Sequence, residues 1–450
     1  MERIANEYTP DYSAARVAPD ELKDWKPIAI IRAGGMFSAP TLMVGAALGL
    51  GLSIPGAAAA VLLGYGFVVA YMCLVSAQAS DMGLPTVYLA EPSLGRTGAR
   101  YLVALIVGIV TIGWFGVQTA VCGSSLQIML ADTFALDVPA WVCSLGLGLL
   151  MLATALLGFT GLAWLSSVAA PLLIAVCLYG VGASLASSGD LSLLTGYVPL
   201  PADAVGFIAG VQMAVGLFAF GGATSGDFAR YARTRADAVI STIAGVIPAV
   251  FVALMTAACL AILTGEGDVA ALMNTVGFPG LGVIALVLST WTVNAGNVYS
   301  AGLGFAVMLH GAGGQPESTS SKGTLLPTAI SGVVGIALAV GGILDAFQSF
   351  LSVLSATGPA LAGTFIADYW LVRRGRPANV RVQPGVSASG ILSLSAGLLV
   401  GCMTGGAFAG APLVGILDIP FFIGPINGLV TAMLVYLAAF RLSGRQRRFS

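Results

Sequence analysis

The feature that most constrains this chain is repetition: apolar runs of about twenty residues, joined by short polar links, follow one another from residue 28 to residue 440. About 20 helical residues match the hydrocarbon thickness of a bilayer. In lipid every backbone N–H and C=O must be bonded internally, which leaves helices and closed barrels, and runs this long are helices. Counting gives about twelve spans: 28–52, 55–79, 100–130, 139–160, 162–186, 204–226, 237–264, 279–306, 325–343, 346–370, 388–411 and 415–440. The third is long enough to tilt or to project from the bilayer. The link SDMGLPTVYLAEPSLGRTGARY is expected to carry a short interfacial helix, and the loop from His310 to Gly323, rich in Gly and Ser, reads as flexible.

Charge placement supplies an independent test. Only 9% of residues are charged and 57% are hydrophobic, where a soluble domain carries about a quarter charged residues. Arg3, Arg16, Lys23, Lys26 and Arg32 precede or begin the first span. Arg96 and Arg100 follow the second, Arg230, Arg233 and Arg235 the sixth, and Lys322 the eighth. Arg373, Arg374, Arg376 and Arg381 follow the tenth, and Arg441, Arg445, Arg447 and Arg448 the last. These are all 19 basic residues. The opposite loops hold acidic residues such as Asp132, Asp137, Asp190, Asp203, Glu266, Asp268 and Asp418. The positive-inside rule then places both termini in the cytoplasm of a cell whose inner membrane holds the chain. The charged segment before the first run is too long and mixed for a signal peptide.

Several function classes lack their parts. A net charge of −1 gives no field for nucleic acid. Six cysteines (Cys73, Cys122, Cys143, Cys177, Cys259, Cys402) lie singly in apolar runs, as small hydrophobes. With one histidine, His310, there is no ligand set for a metal and no catalytic triad, so no enzyme is expected.

Two spans are interrupted. From Ala214 to Arg233 the chain reads AVGLFAFGGATSGDFARYAR, with Gly221-Gly222 expected to break the sixth helix. The first span carries Gly34-Gly35 and, five residues on, Pro40. Breaks five spans apart are what an inverted repeat of five helices plus five would produce, and broken helices at the midplane build transporter sites. The expected organisation is a cytoplasmic segment (1–27), a transport core (28–371, repeats 28–186 and 204–371), two added helices (388–440) and a tail (441–450).

Polar residues at depth mark the candidate site. Trp114 and Gln118 are four apart, on one face of the third helix. An indole for stacking with an amide at the ring edge suits a flat heterocycle; the alternative is an interfacial indole and an amide bonding a neighbouring helix. In the eighth span Ser289, Thr292, Asn294 and Asn297 are costly in lipid unless they face partners, and hydroxyls and carbonyls are also what a hard cation takes. The competing role is helix–helix hydrogen bonding. Acidic residues near span ends are Asp81, Glu91, Asp227, Asp345 and Asp368. Asp227 and Asp368 lie beside arginines, and the expectation is ion pairs at a gate or cytoplasmic rim, with Arg230 as partner of Asp227.

The segments LGLGLS (48–53), GWFGVQ (113–118), GDFARYAR (226–233), WTVNAGNVYSAGLGF (291–305) and IADYWLVRR (366–374) give the chain a resemblance to the nucleobase:cation symporter-1 family, nearest its cytosine-permease branch. The resemblance runs from the first span to the tenth. It implies an all-α, LeuT-type fold of twelve helices with a five-plus-five repeat and two C-terminal helices. It also implies a ring sandwiched between Trp114 and Phe218 and read by Asn294, while Gln118 matches a glutamine of hydantoin-type members. A Na⁺ site is implied at the carbonyls of Gly34 and Phe37, the Ser289 carbonyl and the Thr292 hydroxyl. The chain departs from the cytosine branch at Thr111, where a glutamine is expected, and at Leu217 and Phe220, where serines are. Val293 replaces a further hydroxyl of the Na⁺ site, which leaves H⁺ as an alternative coupling ion.

The expectation is therefore a monomeric, multi-pass symporter working by alternating access, without a cofactor beyond its coupling ion. Its cargo is expected to be a planar nitrogen heterocycle of cytosine, purine, hydantoin or allantoin type. The rivals are a permease of the same fold for an amino acid or a vitamin-related pyrimidine, and a channel or non-transporting scaffold.

Overall fold

The computed structural model describes residues 16–157, 162–188, 190–275, 280–310, 322–409 and 415–443. Residues 1–15, 311–321 and 444–450, parts of the expected terminal segments and of the Gly/Ser loop, lie outside them. Among the described residues every regular element is helical. The first apolar run yields α1 (Trp25–Gly34) and α2 (Ala39–Gly51), bent by 67° at the residues between them. Then come α3 (Ile54–Met82), α4 (Thr86–Leu94), α5 (Ala104–Phe134), α6 (Ala140–Leu157), α7 (Leu162–Ser188) and α8 (Phe207–Ala223). After these follow α9 (Arg235–Thr264), α10 (Leu281–His310), α11 (Lys322–Val340), α12 (Phe347–Ile366), α13 (Ala388–Thr404) and α14 (Gly424–Leu442). Nine helices among the described residues are long and apolar enough to cross a membrane, ten with the bent pair counted as one span. Helices α8 and α13 are shorter apolar helices.

Local chemistry sets the ends. The Asp24 carboxylate accepts from the Lys26 N–H at 3.1 Å and starts α1. At the break, Ser38 is extended (φ −148°) and Pro40, in the first turn of α2, needs no N–H partner. Helix α3 begins at Ser53, whose Oγ accepts from Gly56, and stops at Gly83 with φ +65°, a left-handed cap that glycine adopts without penalty. The third span runs from Arg96 through a π-helical stretch at Ala99–Val103 to Phe134. The link before it does carry a helix, α4, whose residues are buried by protein except at Val87.

The helices form two groups. In one, α9 packs on α1, α2 and α3, and α8 packs on α3. In the other, α10 packs on α5, α6 and α11, which also pack on one another. Helix α7 leans on both α9 and α10, and α2 touches α5 and α10 across the seam. Helix α12 lies along α8 and carries α13 and α14 on its other side. Small residues bring the backbones together: a Cβ on Gly216 of α8 would stand 2.6 Å from the Leu351 carbonyl oxygen of α12. Gly358 of α12 is tighter still against the Ala219 carbonyl.

One expected break is displaced. Gly221 and Gly222 do not interrupt the sixth span, because α8 continues through both to Ala223. The interruption comes at Thr224-Ser225, before a short turn of helix at Gly226–Ala229. The two glycines serve packing instead. A Cβ on Gly221 would meet the Phe218 ring at 2.8 Å, and one on Gly222 the Tyr71 ring at 2.8 Å. Tyr71 in turn donates its hydroxyl to the Ala219 carbonyl at 2.5 Å.

Candidate functional site

The first break lies against α10. The Phe37 carbonyl accepts from the Ser289 hydroxyl at 2.7 Å, and the Ser289 carbonyl accepts from the Thr292 hydroxyl at 3.2 Å. The Ala39 N–H donates to Thr290 Oγ1 at 3.2 Å, and the Gly34 carbonyl accepts from Phe37 N–H at 3.4 Å. Three of the residues named for a cation, Phe37, Ser289 and Thr292, thus form one chain of oxygens, with Gly34 one turn away. Both oxygens of Ser289 take part.

The two aromatic residues find different partners and are not stacked on each other. The Trp114 indole meets Phe350 edge-on (5.2 Å, 77°) and Phe347 (6.5 Å, 70°), both on α12. Phe218 stacks on Tyr65 of α3 (6.3 Å, 19°). Each ring is half-buried, so each keeps a free surface. Phe220 is buried on α8. Thr111 is turned onto its own helix, donating to the Val107 carbonyl at 2.7 Å.

The amides are the unusual part. Gln118 is 4% exposed, and its Oε1 has no partner among the described residues. Asn294 is fully buried and donates Nδ2 to the Phe115 carbonyl (3.2 Å) and Thr119 Oγ1 (2.9 Å), while its Oδ1 has none. Phe115 and Thr119 form the stripe of α5 next to Trp114 and Gln118, since successive helical residues turn by about 100°. Asn297, one turn on, has an unpartnered buried Nδ2. Buried polar atoms of this kind are rare and call for an explanation.

A cavity of about 300 Å³ opens at the acidic-loop end of the seam. It is lined by Met43, Val121, Ser124, Met213, Asp268 and Phe347 among others. The predicted ring-binding residues do not line it, but Phe347 connects it to Trp114.

At the opposite end the expected Asp227–Arg230 pair is not formed. Asp227 Oδ1 accepts from the Thr86 N–H at 2.8 Å, at the start of α4, and Arg230 turns to the Tyr231 hydroxyl at 2.9 Å. Capping a helix start satisfies an orphan donor, which competes with a rim ion pair worth little. Asp368 does pair, with Arg373 at 2.8 Å. Asp81 holds Arg235 through both oxygens (2.7 and 2.9 Å) and accepts from Tyr369.

Arg32 is one of the basic residues that begin the first span, and the sequence assigns it no site role. It is 4% exposed, on α1, and its Nη2 reaches Ser76 Oγ (3.3 Å) and the Ser225 carbonyl (3.4 Å) at the second break. Ser76 donates to Ser225 Oγ at 3.1 Å and accepts from Thr242 at 3.2 Å. The signal available was an arginine inside an apolar run, three residues before Gly35.

The chain thus combines two interrupted helices, orphaned buried amide atoms and two half-buried aromatic rings. Over residues 18–435 the chain matches the family described as permease for cytosine/purines, uracil, thiamine, allantoin. The chain belongs to that family. It is similar to the cytosine permease of Escherichia coli (strain K12), 28% identical over 427 residues covering 95% of this chain and 93% of that protein. It is also similar to the hydantoin permease of Microbacterium maritypicum, 27% identical over 356 residues, 74% of this chain and 68% of that one. Among solved structures it resembles the inward-facing conformation of Mhp1, with TM-score 0.75, 18% identity and coverage of 96% and 95%. A Na⁺-coupled sialic acid symporter shares the fold more distantly (TM-score 0.58, 15% identity, coverage 97% and 93%). The permease is thus a multi-pass membrane transporter of LeuT-type fold and not an enzyme.

Proposed function

We propose that this permease carries a planar nitrogen heterocycle into the cell, driven by a cation moving with it. The observation that carries this reading is the set of orphaned amide atoms: two acceptors, Gln118 Oε1 and Asn294 Oδ1, and one donor, Asn297 Nδ2. A ring bearing N–H and C=O groups on its edge would satisfy them, and a site built to hydrogen-bond its substrate rejects analogues lacking those groups. Trp114 and Phe218 supply the faces, closing on the ring as the two helix groups rock together. Thr111 spends its hydroxyl proton on its own helix and Phe220 has no polar atom, so hydrogen-bond donation to the ring rests on the amides.

The same reading assigns the cation to Gly34, Phe37, Ser289 and Thr292. Their oxygens suit Na⁺ once the hydroxyl hydrogens turn outward, with H⁺ the alternative. Packing in groups drawn from spans 1, 2, 6, 7 and 3, 4, 8, 9 supports twelve spans with a five-span repeat. Basic residues on one side support a cytoplasmic membrane location with both termini inside and Asp227 and Arg230 at the inner rim.

Relatives named for cytosine and hydantoin, and an Mhp1 structure with bromovinylhydantoin bound, support the substrate class. The test is thermal stabilisation of the purified chain by nucleobases, hydantoins, pyrimidine vitamins and amino acids, with and without Na⁺. A heterocycle whose effect grows in Na⁺ is expected. Stabilisation by an amino acid and by no heterocycle would overturn the reading.

A further inference from the structure

Arg32 is the most deeply buried cation here that lacks a carboxylate partner; Arg230, only half-buried, strands one nitrogen, its Nε. Asp81, Asp227 and Asp368 each find a cation or an N–H donor, and the buried Arg373 holds Asp368 and the Asn379 and Pro92 carbonyls. Arg32 is as deeply placed, yet no carboxylate lies within ion-pairing distance among the described residues. Only Nη2 is bonded, at 3.3 and 3.4 Å, to neutral acceptors; Nε and Nη1 are buried without a partner. A guanidinium cannot escape by losing its proton, and an uncompensated buried charge is strongly destabilising.

Its surroundings suit a small anion. Ser76, Ser225 and Thr242, from three different elements, form a chain of hydroxyls that starts at the guanidinium. Thr242 also donates to the Ala238 carbonyl at 2.8 Å and Ser225 to the Met72 carbonyl at 3.4 Å, and an anion would compete with these acceptors for their protons. The side chain starts on α1, just before the first break, and ends on the carbonyl of Ser225 in the second, so it joins the two interrupted helices. An anion beside a buried guanidinium would offset its charge, an attraction that a low dielectric strengthens.

We propose that Arg32, with Ser76, Ser225 and Thr242, forms a monovalent-anion site between the two breaks. The chemistry fits two sources: a free ion such as chloride, or a negative group on the transported ring. The chloride arm stands independently of the heterocycle reading, and the second arm rests on it.

The experiment uses the full chain purified in detergent in a gluconate buffer. Chloride is titrated in at constant ionic strength, and uracil is compared with orotate, the same ring with a carboxylate, each read by thermal shift. The site predicts saturable stabilisation by chloride, or stabilisation by orotate in excess of uracil. In Arg32→Gln the apparent affinity for that anion falls at least about tenfold, since a hydrogen bond to a charged group is lost. Arg32→Lys, which keeps the charge, retains part of it and guards against a variant that fails to fold. A chloride response alone assigns a free ion, and an orotate preference assigns the substrate. If wild-type protein responds to neither anion, or if Arg32→Gln and Arg32→Lys respond as wild type does, the anion site is refuted. Stabilisation by uracil alone would refute it while leaving the heterocycle reading intact.

Discussion

Trp114 and Gln118 lie one turn apart on α5, and the structure gives them different company. The indole is edge-on to Phe350 and Phe347, while the amide oxygen ends unpartnered in the interior. Gln118→Leu, similar in size, removes an acceptor that no protein group uses. Fold stability should hold or rise, and binding of a stabilising heterocycle should weaken by about tenfold or more. Unchanged affinity in a calorimetric titration would remove Gln118 from the site. Trp114→Ala should abolish ring binding while the protein still elutes as a single species, whereas saturable uptake with unaltered apparent affinity would clear the indole of its role. Thr292→Ala removes the hydroxyl that the cation reading assigns as a ligand, together with its bond to the Ser289 carbonyl. The expected outcome is loss of Na⁺-dependent stabilisation with Na⁺-independent ring binding kept, read by titrating Na⁺ at fixed ligand.

At the scale of the helices, most of what the sequence foretold came from length and charge. Runs of apolar residues locate helices because backbone bonding in lipid allows little else. The first break was legible too, since Gly35, Ser38 and Pro40 sit together at the bend. The second was misplaced because glycine is ambiguous in a membrane helix, marking either interruption or close approach. At Gly221 and Gly222 the rings of Phe218 and Tyr71 fill the space, and the true break at Thr224-Ser225 relies on hydroxyls that look ordinary in sequence. Arg32 was underread for a similar reason: its partners, Ser76 and Ser225, are 44 and 193 residues away. Close approach does predict where side chains are forbidden. Gly216→Leu drives a branched side chain into the α12 backbone, and overpacking of this kind costs about 1–3 kcal/mol or more. A lowered melting temperature is expected, and a wild-type melt would mean that α8 and α12 are further apart than described.

For the molecule as a whole, two ion-pair clusters tie helices together with unequal strength. Asp368 accepts from Arg373 at 2.8 Å and from the Tyr436 hydroxyl at 2.7 Å, all buried, fastening α14 to the end of α12. Asp81 and Arg235 join α3 to α9, with Arg235 46% exposed. Breaking a buried pair strands a charge and costs about 3–5 kcal/mol, while an exposed pair contributes about 1 kcal/mol or less. Asp368→Asn should therefore lower thermal stability several times more than Asp81→Asn. Equal effects would place Asp368 nearer water than it is described. The central claim concerns the path between the two helix groups. It is tested most directly by uptake of a stabilising heterocycle into proteoliposomes under an inward Na⁺ or H⁺ gradient. The account predicts saturable accumulation against the substrate gradient that collapses when the cation gradient is dissipated. Equilibration without accumulation under both gradients would contradict it.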